Sequence, residues 1–182
     1  MPLFTPKIKN GTVTVEPGEL LIGDLVEYIV RHFKPLAEAK GLNFEVEFEP
    51  AQSFATMVTD SDLLARILTQ LLSNALKFTD HGKVNLRIAT PTEGWSKTKT
   101  LCNANVIAFA VSDTGIGIHT DRQQIIFEGF PFFNELKASN GLGLAMSHEI
   151  SRLLGGQIRV DSALGRGSTF TLFLPRNWTL KT

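Results

Sequence analysis

Disulfides, an excess of one charge and long apolar runs are all missing from this sequence, and each absence excludes something. A single cysteine, Cys102, cannot form a disulfide within the chain, so a reducing, cytoplasmic setting is expected. Lys plus Arg and Asp plus Glu each number 18, for a formal net charge of +0. A dedicated nucleic-acid or membrane-surface binder would carry a basic surplus, so neither nucleic acid nor direct membrane contact is expected, leaving room only for a local basic pocket. No stretch approaches the roughly 20 apolar residues of a membrane span. The opening MPLFTPKIKN lacks the apolar centre of a signal peptide, although a longer parent protein could still be membrane-anchored. There is no internal repeat, no low-complexity tract and no sign of a second domain. What is there is 182 residues, 43% hydrophobic and 20% charged, the balance of a soluble domain large enough for a proper core.

Hydrophobic periodicity divides the chain. TVTVEP, from Thr12 to Pro17, predicts a short edge strand ending at a proline. Between Leu20 and Lys40, apolar residues at Leu21, Leu25, Ile29, Phe33 and Leu36 predict a helix that Gly41 terminates. Pro35 within it predicts a kink or late break. NFEVEFEP, from Asn43 to Pro50, alternates as a strand with one wet face. Asp60 is placed to cap a long helix, rich in Leu and Ala, running to about Phe78. HGK then turns into the strand VNLRIAT. Residues 91–104, PTEGWSKTKTLCNA, are polar and aperiodic and predict a loop before the strand Val106 to Ser112. A short helix over Arg122 to Phe127, an irregular segment to Asn140 and a helix from Leu142 to Leu154 follow, the last stopped by Gly155 and Gly156. QIRVDS and STFTLFLP are strands flanking the turn ALGRG. The expected class is α/β: a two-layer sandwich with a mixed sheet covered by helices on one face.

Four constellations could carry chemistry. VSDTGIGIHT places Asp113 at the end of an apolar strand and follows it with Gly115 and Gly117. The spacing does not continue to the third glycine of a dinucleotide loop, and an acid is out of place in front of phosphates. The bland reading is a flexible turn. The sharper one is a carboxylate accepting a hydrogen bond from an exocyclic amine such as adenine's, with glycines allowing the backbone close to the ring. In TQLLSNALKFT, Gln70, Asn74 and Lys77 share a helix face beside an apolar stripe of Leu64, Ile67, Leu68, Leu71 and Ala75. That face is either merely solvated, or an amide and a lysine that help to hold a hard divalent cation and the phosphates it bridges. SNGLGLAMSHEI opens a helix on Gly141 and Gly143, where free backbone N–H groups favour phosphate, although such starts also serve packing. GRGSTFTLFLP alone is a plain hairpin, with Gly165 and Gly167 in the turn and Thr169 beginning the strand.

Their order adds what none supplies alone. An N-x-x-K helix, D-x-G-x-G, I-F-E-x-F (Ile126 to Phe130), G-L-G-L and then G-x-G-S-T-F resembles the catalytic, ATP-binding domain of sensor histidine kinases, over roughly residues 8 to 175. The wider group includes DNA gyrase and ATP-driven heat-shock chaperones. The resemblance implies the Bergerat ATP-binding fold, with ATP and Mg²⁺ as cofactors. It implies that Asp113 reads the adenine amino group above Gly115 and Gly117, that Asn74 ligates Mg²⁺, and that Lys77 contacts the phosphate side, with Gln70 on the same catalytic face. Phe127 and Phe130 would anchor the near end of a mobile lid over 131–140. Gly141, Leu142, Gly143 and Leu144 would lie at the phosphates, and Thr169 would support the adenine pocket.

There are three departures from the family pattern. Gln70 stands where these kinases usually carry an asparagine and the related hydrolases a glutamate. The lid PFFNELKASN is shorter than usual and begins with Pro131, Phe132 and Phe133, with Lys137 its only cation. Ser139 and Asn140 replace the usual Gly-Thr. SHEISRLL around His148 faintly resembles a phosphoacceptor box but continues differently, and His32, His81 and His119 lack metal-like spacing. The phosphoacceptor histidine is therefore expected outside this chain. Residues 1–10 would end a linker from a dimerisation domain, 11–176 form the catalytic domain, and 177–182 a tail. The expected function is γ-phosphoryl donation to a histidine on a separate dimerisation domain in two-component signalling, with a response regulator as indirect partner. The rivals are a degenerate nucleotide sensor and a hydrolase, the latter disfavoured by Gln70.

Overall fold

A computed structural model describes residues 8–9, 12–48, 56–96, 100–101, 105–127 and 141–179. Its centre is a five-stranded sheet ordered β4 (Asn43–Phe48), β6 (Lys83–Ala89), β7 (Val106–Asp113), β9 (Gly167–Pro175), β8 (Gln157–Ala163). β4 and β6 are parallel; the other neighbours are antiparallel. Side chains alternate across a strand, so Val84, Leu86, Ile88, Ile107, Phe109, Val111, Phe170, Leu172 and Leu174 all enter the main core. Helices α1 (Ile22–Ala39), α2 (Ser61–Lys77) and α4 (Gly141–Leu153) contribute the rest of that core. The sheet is mixed and helices line one face, as the sequence predicts.

The opposite face carries a smaller cluster of Leu101, Val106, Ala108 and Phe173, with Trp95 packed against it. Trp95 Nε1 donates to the carbonyl of Leu101 at 3.2 Å, and its ring lies 5.8 Å from that of Phe173. The segment expected as a polar loop is thus irregular in its described part, yet pinned to the sheet by two apolar side chains.

Helix α1 begins two residues later than the periodicity suggests, because Gly18–Leu21 forms a strand, β3, paired antiparallel with β5 (Thr56–Thr59). Its buried stripe is Ile22, Leu25, Ile29, Phe33 and Ala37, whereas Leu21 and Leu36 are exposed. The helix runs through Pro35 without ending. Pro35 and Arg31, whose carbonyl loses its partner, are both exposed, so the missing bond falls on the solvent side of the helix. The predicted strand over 12–17 is reduced to Thr12–Val13, paired with Ile8–Lys9. Further along, a turn of α-helix (α3, Thr120–Gln123) and a 3-10 turn (Ile125–Phe127) replace the single short helix expected over 122–127.

Two helix ends follow their capping residues. Asp60 Oδ1 accepts from the N–H groups of Asp62 and Leu63 at 3.1 and 3.0 Å, capping α2 as expected. Its other oxygen accepts from the N–H of Glu16 at 2.8 Å, tying the N-terminal segment to that helix. After α4, Gly155 takes a positive φ of 79° and the chain turns out into β8. Asn177 bridges in parallel to Val58, and Trp178 Nε1 donates to the carbonyl of Leu153. The beginning of the expected tail is therefore tied to β5 and α4.

Asp60→Ala removes the cap and strands the Glu16 N–H. It should destabilise the chain by about 1–2 kcal/mol or somewhat more, read as a lower urea midpoint with unchanged m-value. Asp60→Asn, which keeps an acceptor, should recover much of the loss. An unchanged midpoint in the alanine variant would show that the carboxylate contributes nothing to the α2 start.

Candidate active site

Asp113 closes β7 on the helix-facing side of the sheet, opposite Val84 of β6 and Ser168 of β9. Its Oδ1 accepts from the Gly115 N–H at 2.8 Å. Burial is the dominant influence and pushes its pKa above the usual carboxylate value; the N–H groups of Gly115 and Ser168 and the nearby Thr79 hydroxyl oppose that shift. Thr79 is close enough to favour the charge, but its buried Oγ1 reaches no partner in hydrogen-bond geometry. A half-buried carboxylate at the end of a strand is an acceptor able to take a planar ligand with an amino edge.

The glycines around Asp113 have a structural reason of their own. A Cβ on Gly115 would strike the carbonyl of Phe78, and one on Gly117, at φ 71°, the carbonyl of Ala163. The space left by the missing side chains is therefore filled by protein backbone. The loop is held on both sides: the Ile116 N–H donates to Phe78 O at 3.2 Å, and the Gly165 N–H to Ile116 O at 2.7 Å. Close packing of the loop between the end of α2 and the β8–β9 turn is what sets Asp113 in place.

Helix α2 brings the second group. Gln70, Asn74 and Lys77 lie along one face, as their spacing predicts, with Asn74 buried and Lys77 exposed. Gln70 Nε2 donates to Asn74 Oδ1 at 3.1 Å. A Cβ on Gly143 would collide with the Gln70 amide, so the first turn of α4 sits against that side chain. The Lys77 ammonium lies 5.3 Å from the Phe78 ring centroid. Among the described residues no cluster of three or more His, Cys, Asp or Glu forms a metal site. An amide oxygen with no carboxylate cluster suits a divalent cation that arrives already bridged by phosphate oxygens.

The remaining expected residues divide. Phe127 ends the 3-10 turn with its ring stacked on His148 at 5.3 Å and edge-on to Phe170 at 6.2 Å. It thereby joins α4 to β9. His148 carries that stack and lies 3.6 Å from Glu149. Leu144 packs against the core from α4, which Gly141, Leu142 and Gly143 begin. Phe130 and the lid over 131–140 lie outside the described residues.

Thr169 is displaced from its expected place. It belongs to the sheet face away from the helices, and its Oγ1 lies 2.9 Å from Ser112 Oγ. Ser168, opposite Asp113 and buried, is the β9 residue on the carboxylate's side. The reason is the period of a strand, which sends adjacent residues to opposite faces. Inward-facing Phe170 carried the signal, because Ser168 has its parity and Thr169 does not. Thr79, which carries no motif signal, follows directly after the C-cap of α2.

A mixed sheet with helices on one face, and an acid at the end of its middle strand, defines the two-layer sandwich of the Bergerat ATP-binding fold. Residues 59–177 match the family described as histidine kinase-, DNA gyrase B-, and HSP90-like ATPase, and the chain belongs to it. Among curated relatives, it is 30% identical over 174 residues to the circadian input-output histidine kinase CikA of Synechocystis, covering 93% of this chain and 22% of that protein. It is 30% identical over 175 residues to the sensor histidine kinase RcsC of Salmonella typhimurium, covering 93% of this chain and 17% of that one. The chain thus spans only a small part of these relatives. Full-length ShkA, solved in complex with AMPPNP, superposes with a TM-score of 0.73 at 27% identity, covering 93% of this chain and 33% of ShkA. The catalytic domain of the histidine kinase ThkA, at 20% identity and a TM-score of 0.70, shares the fold, covering 89% of this chain and 99% of that domain.

Burial raises the Asp113 pKa in the folded chain, so the group's stability contribution is complete below its unfolded pKa and is lost as pH rises through the folded value. The charged form therefore costs stability at neutral pH. Asp113→Asn keeps an acceptor for the Gly115 N–H and removes that charge. The ligand-free variant should melt at a higher temperature than the parent at pH 7, with the difference closing as pH falls below the carboxylate range. A variant that melts lower at pH 7 would mean that the hydrogen bonds outweigh burial.

Proposed function

We propose that this chain binds ATP with Mg²⁺ and donates the γ-phosphoryl group to a histidine carried by a separate dimerisation domain, with a response regulator as the eventual recipient. The observation that carries the reading is the Asp113 carboxylate, half-buried at the end of the central strand beside the Thr79 hydroxyl. It is an acceptor suited to the adenine amino group, while α2 presents Asn74 and Lys77 for the phosphate end. Asn74 would hold the metal, whose contribution is to neutralise charge on the phosphates. Phe127 would fix the base of the lid. The nucleophile is the imidazole nitrogen of the incoming histidine: a bond forms from it to Pγ as the bond from Pγ to the bridging oxygen breaks, and ADP leaves. This chain's own share is positioning and electrostatic stabilisation. No helix among the described residues is long and apolar enough to cross a membrane.

One observation favours a second reading, a nucleotide-responsive regulatory module without turnover. Gln70 Nε2 occupies Asn74 Oδ1, the oxygen that would face the metal. Both readings predict nucleotide binding and differ in transfer. Mixed with a supplied dimerisation domain and γ-labelled ATP, the chain should pass label to that domain's histidine as an acid-labile, alkali-stable phosphate. Alone it should acquire no stable label. Binding without transfer to any supplied domain would leave the regulatory reading, and self-labelling lost in His148→Gln would place the acceptor in α4.

Gln70 also bears on hydrolysis. An amide can orient water but has no basic site near neutral pH, so intrinsic ATPase activity should be very slow. Gln70→Glu supplies a base at the cost of negative charge near the phosphates. Its effect is best read in single turnovers at saturating ATP, where weakened binding no longer limits the rate. Brisk turnover by the parent chain, abolished in Asn74→Ala, would replace the kinase reading with a hydrolase.

A further inference from the structure

Besides the Gly165–Ile116 backbone bond, one hydroxyl ties the β8–β9 hairpin to the Asp113 loop. Ser162 Oγ accepts from the Ile118 N–H at 2.8 Å, donates to the carbonyl of Gly167 at 2.9 Å and lies 2.8 Å from Ser168 Oγ. Gln123 Nε2 braces the same junction, donating to the carbonyls of Ser162 and Ile118 at 2.7 and 2.9 Å. A hydroxyl has one proton and two lone pairs. An amide N–H can only donate and a carbonyl can only accept, so two of the three Ser162 contacts have a fixed direction. Its proton is spent on Gly167, and the third contact must be donated by Ser168. The Ser168 proton therefore points at Ser162, leaving only lone pairs for its other neighbours.

Ser168 stands directly across the ladder from Asp113 on the same face of the sheet, where opposed side chains are neighbours. Two groups at this end of the site, a carboxylate and a hydroxyl with its proton committed, thus both accept. We propose that Ser162 is a specificity-determining positioning residue: by holding the Ser168 proton it makes this wall acceptor-only, selecting a nucleobase edge that donates, as adenine's amino group does, over one that accepts, as guanine's carbonyl does. The proposal rests on the reading of Asp113 as the base-binding acid. Once Ser162 is removed, the Ser168 hydroxyl turns freely and can donate to a carbonyl.

Calorimetric titration of the chain with Mg²⁺–AMPPNP and Mg²⁺–GMPPNP tests this. In Ser162→Ala the ratio of adenine to guanine nucleotide affinity should fall roughly tenfold, the effect of about one hydrogen bond, with adenine binding reduced by less than that. Ser162→Thr, which keeps the hydroxyl, should retain the parental ratio. A parental ratio in Ser162→Ala, or equal losses for both nucleotides, overturns the proposal, since a purely structural serine would weaken both alike. Should the alanine variant fail to fold, Ser168→Ala takes its place: a reduced ratio supports the relay and an unchanged one overturns it. Asp113→Ala separates the two levels. If it leaves affinity and ratio intact, the base assignment and the relay fall together. If it abolishes the preference while Ser162→Ala does not, only the relay falls.

Discussion

Everything at this site depends on keeping one carboxylate partly out of water. Burial disfavours the charged form of Asp113, and the fold counters with two backbone N–H groups, those of Gly115 and Ser168. Both donors need the chain closer than a side chain would allow. A Cβ on Gly115 would meet Phe78 O, and one on Gly167 would meet the Asp113 carbonyl itself. The glycines that look like nucleotide-loop residues are thus first the means of bringing three chain segments against one acid. Lys40 contributes from outside, its ammonium donating to the carbonyls of Leu76 and Thr79. It caps the end of α2 where that helix hands over to the strand of chain bearing Thr79.

Helix α2 is where stability and chemistry share a single element. Ten of its residues are buried, among them Leu64, Ile67, Leu68, Leu71 and Leu72, and they pack it between the sheet and its helical neighbours. That anchorage lets the polar row of Gln70, Asn74 and Lys77 stay fixed without help from a loop. Asparagine is a mediocre helix former, and Asn74 keeps its place because its neighbours Leu71, Leu72 and Ala75 are buried. Gln70 is accommodated by Gly143, which has no Cβ to obstruct its side chain. The α2–α4 contact thus closes directly on the Gln70 side chain.

How much of this was legible depends on whether the signal was local. The cap at Asp60, the stop at Gly155 and the alternation in β4 and β6 are written in short stretches, and they are where expected. The β3–β5 pair is not local, since Gly18 meets Thr59 far along the chain; its four-residue strands are too short to outweigh the helical pattern beginning at Leu20. Thr169 against Ser168 is a question of parity, which a motif read as a string does not contain. The Phe130 and lid expectations fall outside the described residues, and the roles of Asn74 and Lys77 toward a metal and phosphates stay with the proposed function.

The segment over 91–104 shows why the second face of the sheet needs no layer of helices. That face is largely polar: Asn85 donates to Glu47, Ser112 meets Thr169, and Arg87 and Arg159 are exposed. Only one end is apolar, where Val106, Ala108 and Phe173 lie side by side, and there the chain between β6 and β7 lays Trp95 and Leu101 across it. Gln157 and Arg159 of β8 reach Ser96 and hold the strap from the other edge. Trp95 needs only its ring on Phe173 and one carbonyl for its N–H, so a segment polar everywhere else can seal the patch. The strap covers the end of the sheet remote from Asp113, because β7 runs from Val106 at the patch to the carboxylate at its other end. Shielding of the open face and assembly of the candidate site are thus separated along a single strand.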